Sequence, residues 1–437
     1  MRRYVANPVA AVAGQITVPG DKSVSHRSMM LAGIAEGRSE ISGFLPSEDC
    51  LASLAAMRAL GVVIERHSAT EVSVHGAGLR GLRGAGQALD MGNAGTAMRL
   101  FTGLLSAQTF DSALVGDSSL MKRPMERVAK PLREMGADVR TTGGTPPVAI
   151  HGGAQLHGIE YRMPVASAQV KSAILLAGLY ADGVTTVISP AVSRDHSERM
   201  LTSFGVEVQS AGLHVSVRPP QRLEAQRLLI PGDISSSAFF IVAGLLGAAP
   251  GGLLIRNVGL NPTRTGILDI LRLMGARIDI QDPRSSGAEP VADLLVQRSD
   301  LHGIDVPAAL VPLAIDEFPV LFVAAACAEG ETRVTGAEEL RVKESDRIAV
   351  MSAGLRALGV EHEPTPDGMH IRGKGAGSAF SGGEVDSDGD HRIAMSFSVA
   401  SLRAAAPITI RDVANVATSF PGYVQLARAA GLDLHEY

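Results

Sequence analysis

The chain has 437 residues, 46% hydrophobic and 19% charged, with a formal net charge of −5 and no tryptophan. Such a length suggests two or three domains, and the composition is that of a soluble globular enzyme with an aliphatic core. The acidic balance and the lack of basic blocks interleaved with aromatics exclude a nucleic-acid binder, and no apolar run reaches the roughly 18–20 residues that span a bilayer.

The first residues, Met1 to Pro8, lack the long apolar region of a signal peptide. Pro19-Gly20-Asp21-Lys22-Ser23-Val24-Ser25-His26-Arg27 follows and reads as a turn feeding a helix, with Ser23 or Ser25 as its cap. The run from Met29 to Ala35 is apolar on most sides, as in a buried helix. Lys22 and Arg27 stand out. A helix start carries partial positive charge and unpaired N–H groups, so a cation there costs roughly 0.3–1 kcal/mol. A bound anion reverses that sign.

The arrangement returns along the chain. Gly92 to Arg99 runs into Leu100–Leu105, and Ala166 to Lys171 runs into Ala173–Ala177. Arg341 to Arg347 precedes Ile348–Met351, and Asp388 to Arg392 precedes Ile393–Phe397. Five helix starts with a cation within about a turn point to shared anion binding. Gly116 to Pro124 is a loop that presents Arg123, a candidate clamp for phosphate or carboxylate. Ser193 to Arg199 opens another helix and carries Arg194.

Two carboxylates accompany the cations. Asp316 precedes an apolar run and reads either as an N-cap or as an acid/base group. Glu344, flanked by Lys343 and Arg347, reads either as an ion-pair partner or as a carboxylate kept ionised by cations for proton transfer.

A glycine closes a helix and opens a strand six times, at Gly61, Gly136, Gly205, Gly275, Gly359 and Gly431. Their spacing, about 69 to 84 residues, is too long for a solenoid. Each unit reads as apolar helix, strand, amphipathic helix, glycine, strand, turn, strand, which makes the class α/β or α+β, most naturally as three units plus three. Pro231-Gly232-Asp233 echoes the first Pro-Gly-Asp turn and marks the best internal boundary. Gln281 to Pro290 reads as a polar loop.

Other motifs fail on context. Gly76 to Gly81 has dinucleotide-loop spacing but no apolar helix after it. Asp386, Asp388 and Asp390 alternate like a calcium loop, but His391 and Phe397 replace its Gly and Glu. The 12 histidines form no HxxxH cluster, so no metal is expected. Cys50 and Cys327 sit in apolar settings without a disulfide framework, which fits a cytoplasmic protein.

The segments Pro19–Arg27, Gly92–Arg99, Gly116–Pro124, Ala166–Lys171, Leu340–Arg347 and Asp388–Met395 resemble those of the EPSP synthase (3-phosphoshikimate 1-carboxyvinyltransferase) family, in order over nearly the whole chain. Asp195 to Arg199 and Ala417 to Pro421 resemble the branch that includes glyphosate-tolerant bacterial enzymes. The resemblance implies an enolpyruvyl transferase fold: a two-lobed inside-out α/β barrel with three βαβαββ repeats in each lobe. An N-terminal lobe would comprise residues 21–230, and a C-terminal lobe residues 1–20 and 231–437. Hinges would lie near 19–22 and 229–233, and the lobes would close on substrate.

It implies a reaction too. The 5-hydroxyl of shikimate 3-phosphate adds to C2 of phosphoenolpyruvate as C3 gains a proton, and the tetrahedral intermediate then loses phosphate. The two substrates carry on the order of five negative charges, a phosphate monoester bringing about −1.5 to −2. By resemblance, Lys22, Ser23, Arg27, Ser167, Ala168, Gln169, Arg194, Asp316 and Lys343 bind shikimate 3-phosphate. Lys22, Gly95, Arg123, Gln169, Arg347 and Arg392 bind phosphoenolpyruvate. Asp316 takes the hydroxyl proton, Glu344 delivers one to C3, and Lys22 joins them as a catalytic residue. No cofactor or metal is implied. The expected partners are the two small molecules and, as a candidate inhibitor, glyphosate, with no nucleic acid, no membrane and a monomeric state.

Three positions depart from the family pattern: Thr418, where many members have Lys; Leu100, where many have Pro; and Glu339, where many have Asn. The sister transferase acting on UDP-N-acetylglucosamine has Asn after the first Lys and a loop Cys, whereas Ser23 follows Lys22 here and 116–123 holds no Cys. A non-catalytic anion-binding homologue would release no phosphate from the two substrates. A scaffold with ordinary surface cations would gain no thermal stability from phosphorylated ligands.

Overall fold

The computed structural model describes residues 2–375 and 377–437. The chain divides into two compact units. One holds the residues up to Pro19 with Pro231–Arg284 and Pro290–Tyr437; the other holds Gly20–Ile230 with Ser285–Glu289. Each has its own apolar core.

In the Gly20–Ile230 unit the helices are α1 (Lys22–Gly33), α2 (Glu48–Ala59), α3 (Gly95–Leu105), α4 (Glu126–Glu134), α5 (Ala168–Gly178) and α6 (His196–Ser203). The other unit contains α7 (Ile234–Gly247), α8 (Gly266–Leu273), α9 (Phe318–Ala326), α10 (Arg347–Ala357), α11 (His391–Ala400), α12 (Val416–Ser419) and α13 (Tyr423–Ala429). Two kinds of helix alternate, as the apolar and amphipathic runs predict. All residues of α7 and α9 are buried, and α1, α3, α5 and α11 are nearly so. Helices α2, α4, α6, α8, α10 and α13 bury one side. Each of the latter ends two residues before one of the six repeat glycines. All six adopt the left-handed conformation, with φ between +76° and +101°, which a side chain would strain.

Among the described residues each unit has three sheets. In the Gly20–Ile230 unit one recipe repeats three times: a parallel strand pair, then two antiparallel neighbours. Arg227–Leu229 runs parallel to Glu36–Ser42, Leu89–Asp90 to Ser112–Val115, and Glu160–Arg162 to Thr185–Ile188. Antiparallel strands extend each pair. In the other unit, Val12–Thr17 runs parallel to Ala248–Gly259, and Gly383–Asp386 parallel to Ile408–Arg411. Arg3–Asn7 is antiparallel to Ile408–Arg411, so the chain's first strands complete sheets of the Pro231–Tyr437 unit. The remaining sheet, Glu329–Val334, Gly368–Lys374 and Glu361–Thr365, is antiparallel.

Two sequence expectations need correction. Gln281–Pro290 is a hairpin rather than a loop, with strands Arg277–Ser286 and Glu289–Gln297. The first strand is exposed on both sides beyond Ile278, so it has no apolar alternation to betray it. Helix α1 is capped by Asp21, which accepts from the Val24 N–H at 2.8 Å, not by a serine. Ser25 Oγ instead accepts from the Leu45 N–H at 3.1 Å. Asp233 caps α7 in the same way through the Ser235 N–H at 2.8 Å, so both Pro-Gly-Asp turns end in a cap.

Candidate active site

The buried helices α1, α3, α5, α7, α9 and α11 carry no acid in the first turn, and neither does α10. By contrast α2, α4, α6 and α8 carry Glu48 and Asp49, Glu126, Glu198 and Asp269 there. The capping aspartates Asp21, Asp233, Asp346 and Asp390 answer the positive ends of α1, α7, α10 and α11, whereas α3, α5 and α9 have no carboxylate capping bond at theirs. The predicted site residues gather around those starts, in one cluster per unit.

In the Gly20–Ile230 unit, Lys22 opens α1 and its Nζ pairs with Asp49. Asp49 itself is nearly buried. Arg27, one turn along, is 5% exposed. Its Nε donates to Ser197 Oγ at 2.7 Å, Nη2 to Ser172 Oγ at 2.8 Å and Nη1 to the Ser23 carbonyl at 3.0 Å. Burial pulls its pKa down to about 10. Ser167 caps α5, so Ala168 and Gln169 present first-turn N–H groups. Gln169 is locked from both ends: Arg99 Nη1 donates to its Oε1 at 2.5 Å, and its Nε2 donates to Thr96 Oγ1 at 2.9 Å.

Gly95 opens α3. A methyl group there would lie 3.1 Å from Arg123 Nη1 and 3.3 Å from Arg99 Nη1, so two guanidinium ends flank that helix start. Arg123 Nη2 donates to Asn93 Oδ1 at 2.5 Å, which ties the 116–124 loop to the same place. Arg99 lies inside a motif legible in the sequence, but nothing in its spacing announces the link to Gln169. Arg194 is half-buried, two residues before α6.

The Pro231–Tyr437 unit gathers the rest. Asp316 is the hub, with its side chain 13% exposed. Its Oδ1 lies 3.4 Å from both Lys343 Nζ and Arg347 Nη1, its Oδ2 lies 3.9 Å from Arg392 Nη2, and its carbonyl accepts from Arg392 Nη1 at 3.0 Å. It does not cap α9: that position belongs to Glu317, whose side chain makes no capping bond. Glu317 Oε1 lies 3.6 Å from Arg392 Nη1 instead.

Arg347 opens α10, is 1% exposed, and meets Asp390 Oδ2 at 2.8 Å and Glu344 Oε2 at 2.6 Å. Burial alone would depress its pKa, but the Asp390, Glu344 and Asp316 carboxylates outweigh that and push it up. Asp390 caps α11 through the Arg392 N–H at 2.9 Å and is fully buried. The Asp386–Asp390 alternation is therefore a capped turn, with Asp386 paired to Arg411 at 3.2 Å. Glu344 is the most exposed member of the Arg347 group, at 33% of its side chain.

Three details revise the sequence reading. The helix-start cations are not bare, since Lys22, Lys343 and Arg347 each face a carboxylate. Lys171 is turned away from solvent, buried in a 2.6 Å ion pair with Glu198. Asp49 reads in the sequence as an ordinary first-turn acid and Asp390 as part of a capped turn, so neither pairing, with Lys22 or with Arg347, is visible there. At the departing positions, Leu100 is buried in α3, Glu339 lies 3.9 Å from Lys343, and Thr418 Oγ1 donates to the Asn415 carbonyl at 2.7 Å. Among the described residues no group of three or more His, Cys, Asp or Glu is placed to hold a metal, and no helix is long and apolar enough to cross a membrane.

The family model described as EPSP synthase (3-phosphoshikimate 1-carboxyvinyltransferase) matches residues 6–426. The 3-phosphoshikimate 1-carboxyvinyltransferase of Methylococcus capsulatus is 58% identical over 99% of this chain and 98% of its own. That of Legionella pneumophila subsp. pneumophila is 54% identical over the full length of both. The solved structure of EPSP synthase from Acinetobacter baumannii superposes with a TM-score of 0.92 at 53% identity, covering both chains completely. The enolpyruvyl transferase NikO from Streptomyces tendae, at 17% identity and a TM-score of 0.78 over 100% of this chain and 99% of its own, shares the fold. The sequence motifs, the repeated sheets and these likenesses agree: the chain belongs to the EPSP synthase (3-phosphoshikimate 1-carboxyvinyltransferase) family.

Proposed function

We propose that the protein transfers the enolpyruvyl group of phosphoenolpyruvate to the 5-hydroxyl of shikimate 3-phosphate, in aromatic amino acid biosynthesis. Asp316 carries the reading: one carboxylate set among Lys343, Arg347 and Arg392, with Glu344 between two of those cations in the chain and paired to Arg347.

Asp316 accepts the hydroxyl proton as the oxygen attacks C2, and Glu344 gives a proton to C3. The tetrahedral intermediate collapses with loss of a C3 proton and of phosphate, which restores the C2–C3 double bond. No atom changes oxidation state over the cycle. Lys22, Ser23, Arg27, Ser167, Ala168, Gln169, Arg194 and Lys343 hold shikimate 3-phosphate. Lys22, Gly95, Arg123, Gln169, Arg347 and Arg392 hold phosphoenolpyruvate. Preorganised cations suit this chemistry because the negative charge stays near them from substrate to released phosphate.

Glyphosate, a small phosphonate and carboxylate, would compete at the phosphoenolpyruvate residues, where Gly95 lets the Arg123 and Arg99 guanidinium ends approach the start of α3. We read the protein as monomeric and cytoplasmic. Two buried free cysteines fit a reducing compartment. The test is phosphate release from shikimate 3-phosphate and phosphoenolpyruvate, with and without glyphosate. Folded protein that releases no phosphate from this pair would refute the activity.

A further inference from the structure

The segment carrying Arg194 is fixed by several buried polar ties. Glu198, in the first turn of α6, pairs with Lys171 of α5 at 2.6 Å, with side chains 7% and 4% exposed. Lys171 Nζ also reaches the Ser193 carbonyl at 3.4 Å, the residue just before Arg194. Ser197 Oγ donates to Ser172 Oγ at 2.6 Å while accepting from Arg27. On the other side, His196 Nδ1 meets Glu289 Oε1 at 2.7 Å, with side chains 3% and 5% exposed. Arg199 Nη1 donates to the Ala288 carbonyl at 3.0 Å. Ala288 and Glu289 belong to the five-residue tip 285–289, which lies in the Gly20–Ile230 unit although the chain on either side of it does not.

A buried ion pair and a buried histidine–carboxylate contact on one helical turn make little sense as stabilisers. Desolvation offsets most of their attraction, and apolar residues of similar volume commonly do as well. What they supply is position, since each ties a buried polar group of α6 to a partner on another element at a fixed distance. Asp195, which would ordinarily cap this helix, makes no capping bond and bonds Arg199 instead, so local capping does not set where the helix begins.

We propose that Glu289, together with the Lys171–Glu198 pair, positions the shikimate 3-phosphate site. The pair holds the Ser193–Arg194 segment against α5, and Glu289 holds α6 from the far side through His196. Arg194 and the first-turn groups of Ser167, Ala168 and Gln169 then meet one phosphate. None of the three touches substrate; they act through Arg194. The inference rests on the reading above that Arg194 and the start of α5 bind that phosphate.

The test is a kinetic cycle on the full-length enzyme with Glu289→Ala, Arg194→Ala and the double variant. Displacing a charged ligand by a fraction of an ångström should raise the KM for shikimate 3-phosphate about ten-fold in Glu289→Ala. The KM for phosphoenolpyruvate should stay within about two-fold. In the Arg194→Ala background the second substitution should add less than about two-fold, because its route of action is gone. Equal changes in both KM values, or full additivity in the double variant, would overturn the proposal. So would a raised KM in Arg194→Ala with none in Glu289→Ala. An unchanged KM in Arg194→Ala would instead remove the underlying reading of Arg194, and the proposal with it. Should Glu289→Ala fail to fold, Glu289→Gln and Glu198→Gln keep the side-chain shape, and the same split between the two KM values, about three-fold, decides the matter.

Discussion

Replacing Gly95 by alanine is the sharpest probe of the phosphoenolpyruvate residues. Gly95 has no left-handed backbone requirement and opens a helix, where alanine is favoured over glycine by up to about 1 kcal/mol, so the fold should hold or gain. The new methyl would sit 3.1 Å from Arg123 Nη1 and 3.3 Å from Arg99 Nη1, against an ordinary contact of 3.4 Å or more. Both guanidinium ends must retreat by roughly a tenth to a third of an ångström merely to admit it, and an anion bridging them would press them back. A misplacement of 1 Å can cost about 100-fold, so a tenth to a third of an ångström should cost about 2- to 4-fold, or about 0.4–0.8 kcal/mol. The assay is phosphate release with phosphoenolpyruvate varied at saturating shikimate 3-phosphate. Its half-saturation should rise by that factor, with that of shikimate 3-phosphate unmoved and glyphosate inhibition weakened in parallel. A folded Gly95→Ala enzyme with unaltered phosphoenolpyruvate and glyphosate responses would place Arg123 and Arg99 away from that substrate.

Three further outcomes follow from named contacts. Asp316→Asn and Glu344→Gln should each lower kcat by about 100- to 10,000-fold in single-turnover assays, and near-normal turnover in either would remove that residue from proton transfer. Asp390→Asn keeps a capping oxygen for α11 but strips the charge 2.8 Å from Arg347. Breaking a buried pair costs about 3–5 kcal/mol, and Glu344 and Asp316 remain to limit it to about 3, so melting should fall by about 6–12 °C; an unchanged melting temperature would contradict the electrostatic account. His26 is fully buried, and desolvation lowers its pKa to about 3, from 6.5 when unfolded. Between those values only the unfolded chain takes the proton, so stability falls by about 1.4 kcal/mol per pH unit as pH drops below 6.5. His26→Asn should flatten urea-derived stability between pH 6 and 4 by about that slope, and an identical slope would mean the ring is protonated in the fold.

Much of the architecture was legible because it follows from local rules. The six glycines announce left-handed helix ends, and the contrast between apolar and amphipathic runs separates buried helices from half-exposed ones. The hairpin at 277–297 was hidden for the opposite reason: its first strand is exposed on both faces, so pairing alone makes it a strand. The site divided along the same line. Cations on helix starts are visible as departures from what a helix prefers. Their partners are not. Asp49 looks like a welcome first-turn acid, Asp390 like a cap, and Glu289 lies 93 residues from His196. Such residues break no local preference, and only three-dimensional proximity reveals them.

That proximity changes how anion binding works. The sequence suggests cations left uncompensated until substrate arrives. In the fold each is already held: Lys22 by Asp49, Lys343 by Asp316, Arg347 by Asp390 and Glu344. A bare buried cation would be costly, and a fully satisfied one would have nothing left to offer. Arg347 shows the compromise. Asp390, fully buried, fixes its Nε edge, while the group nearest its outer edge is Glu344, with a third of its side chain exposed. A substrate carboxylate reaching that outer edge competes with Glu344 rather than with water alone. On the proposed reading of Arg347, binding would exchange one carboxylate for another at a guanidinium that is already oriented, which keeps the reorganisation cost low. The same exchange loosens Glu344, the group assigned to protonate C3, at the moment its target is in place.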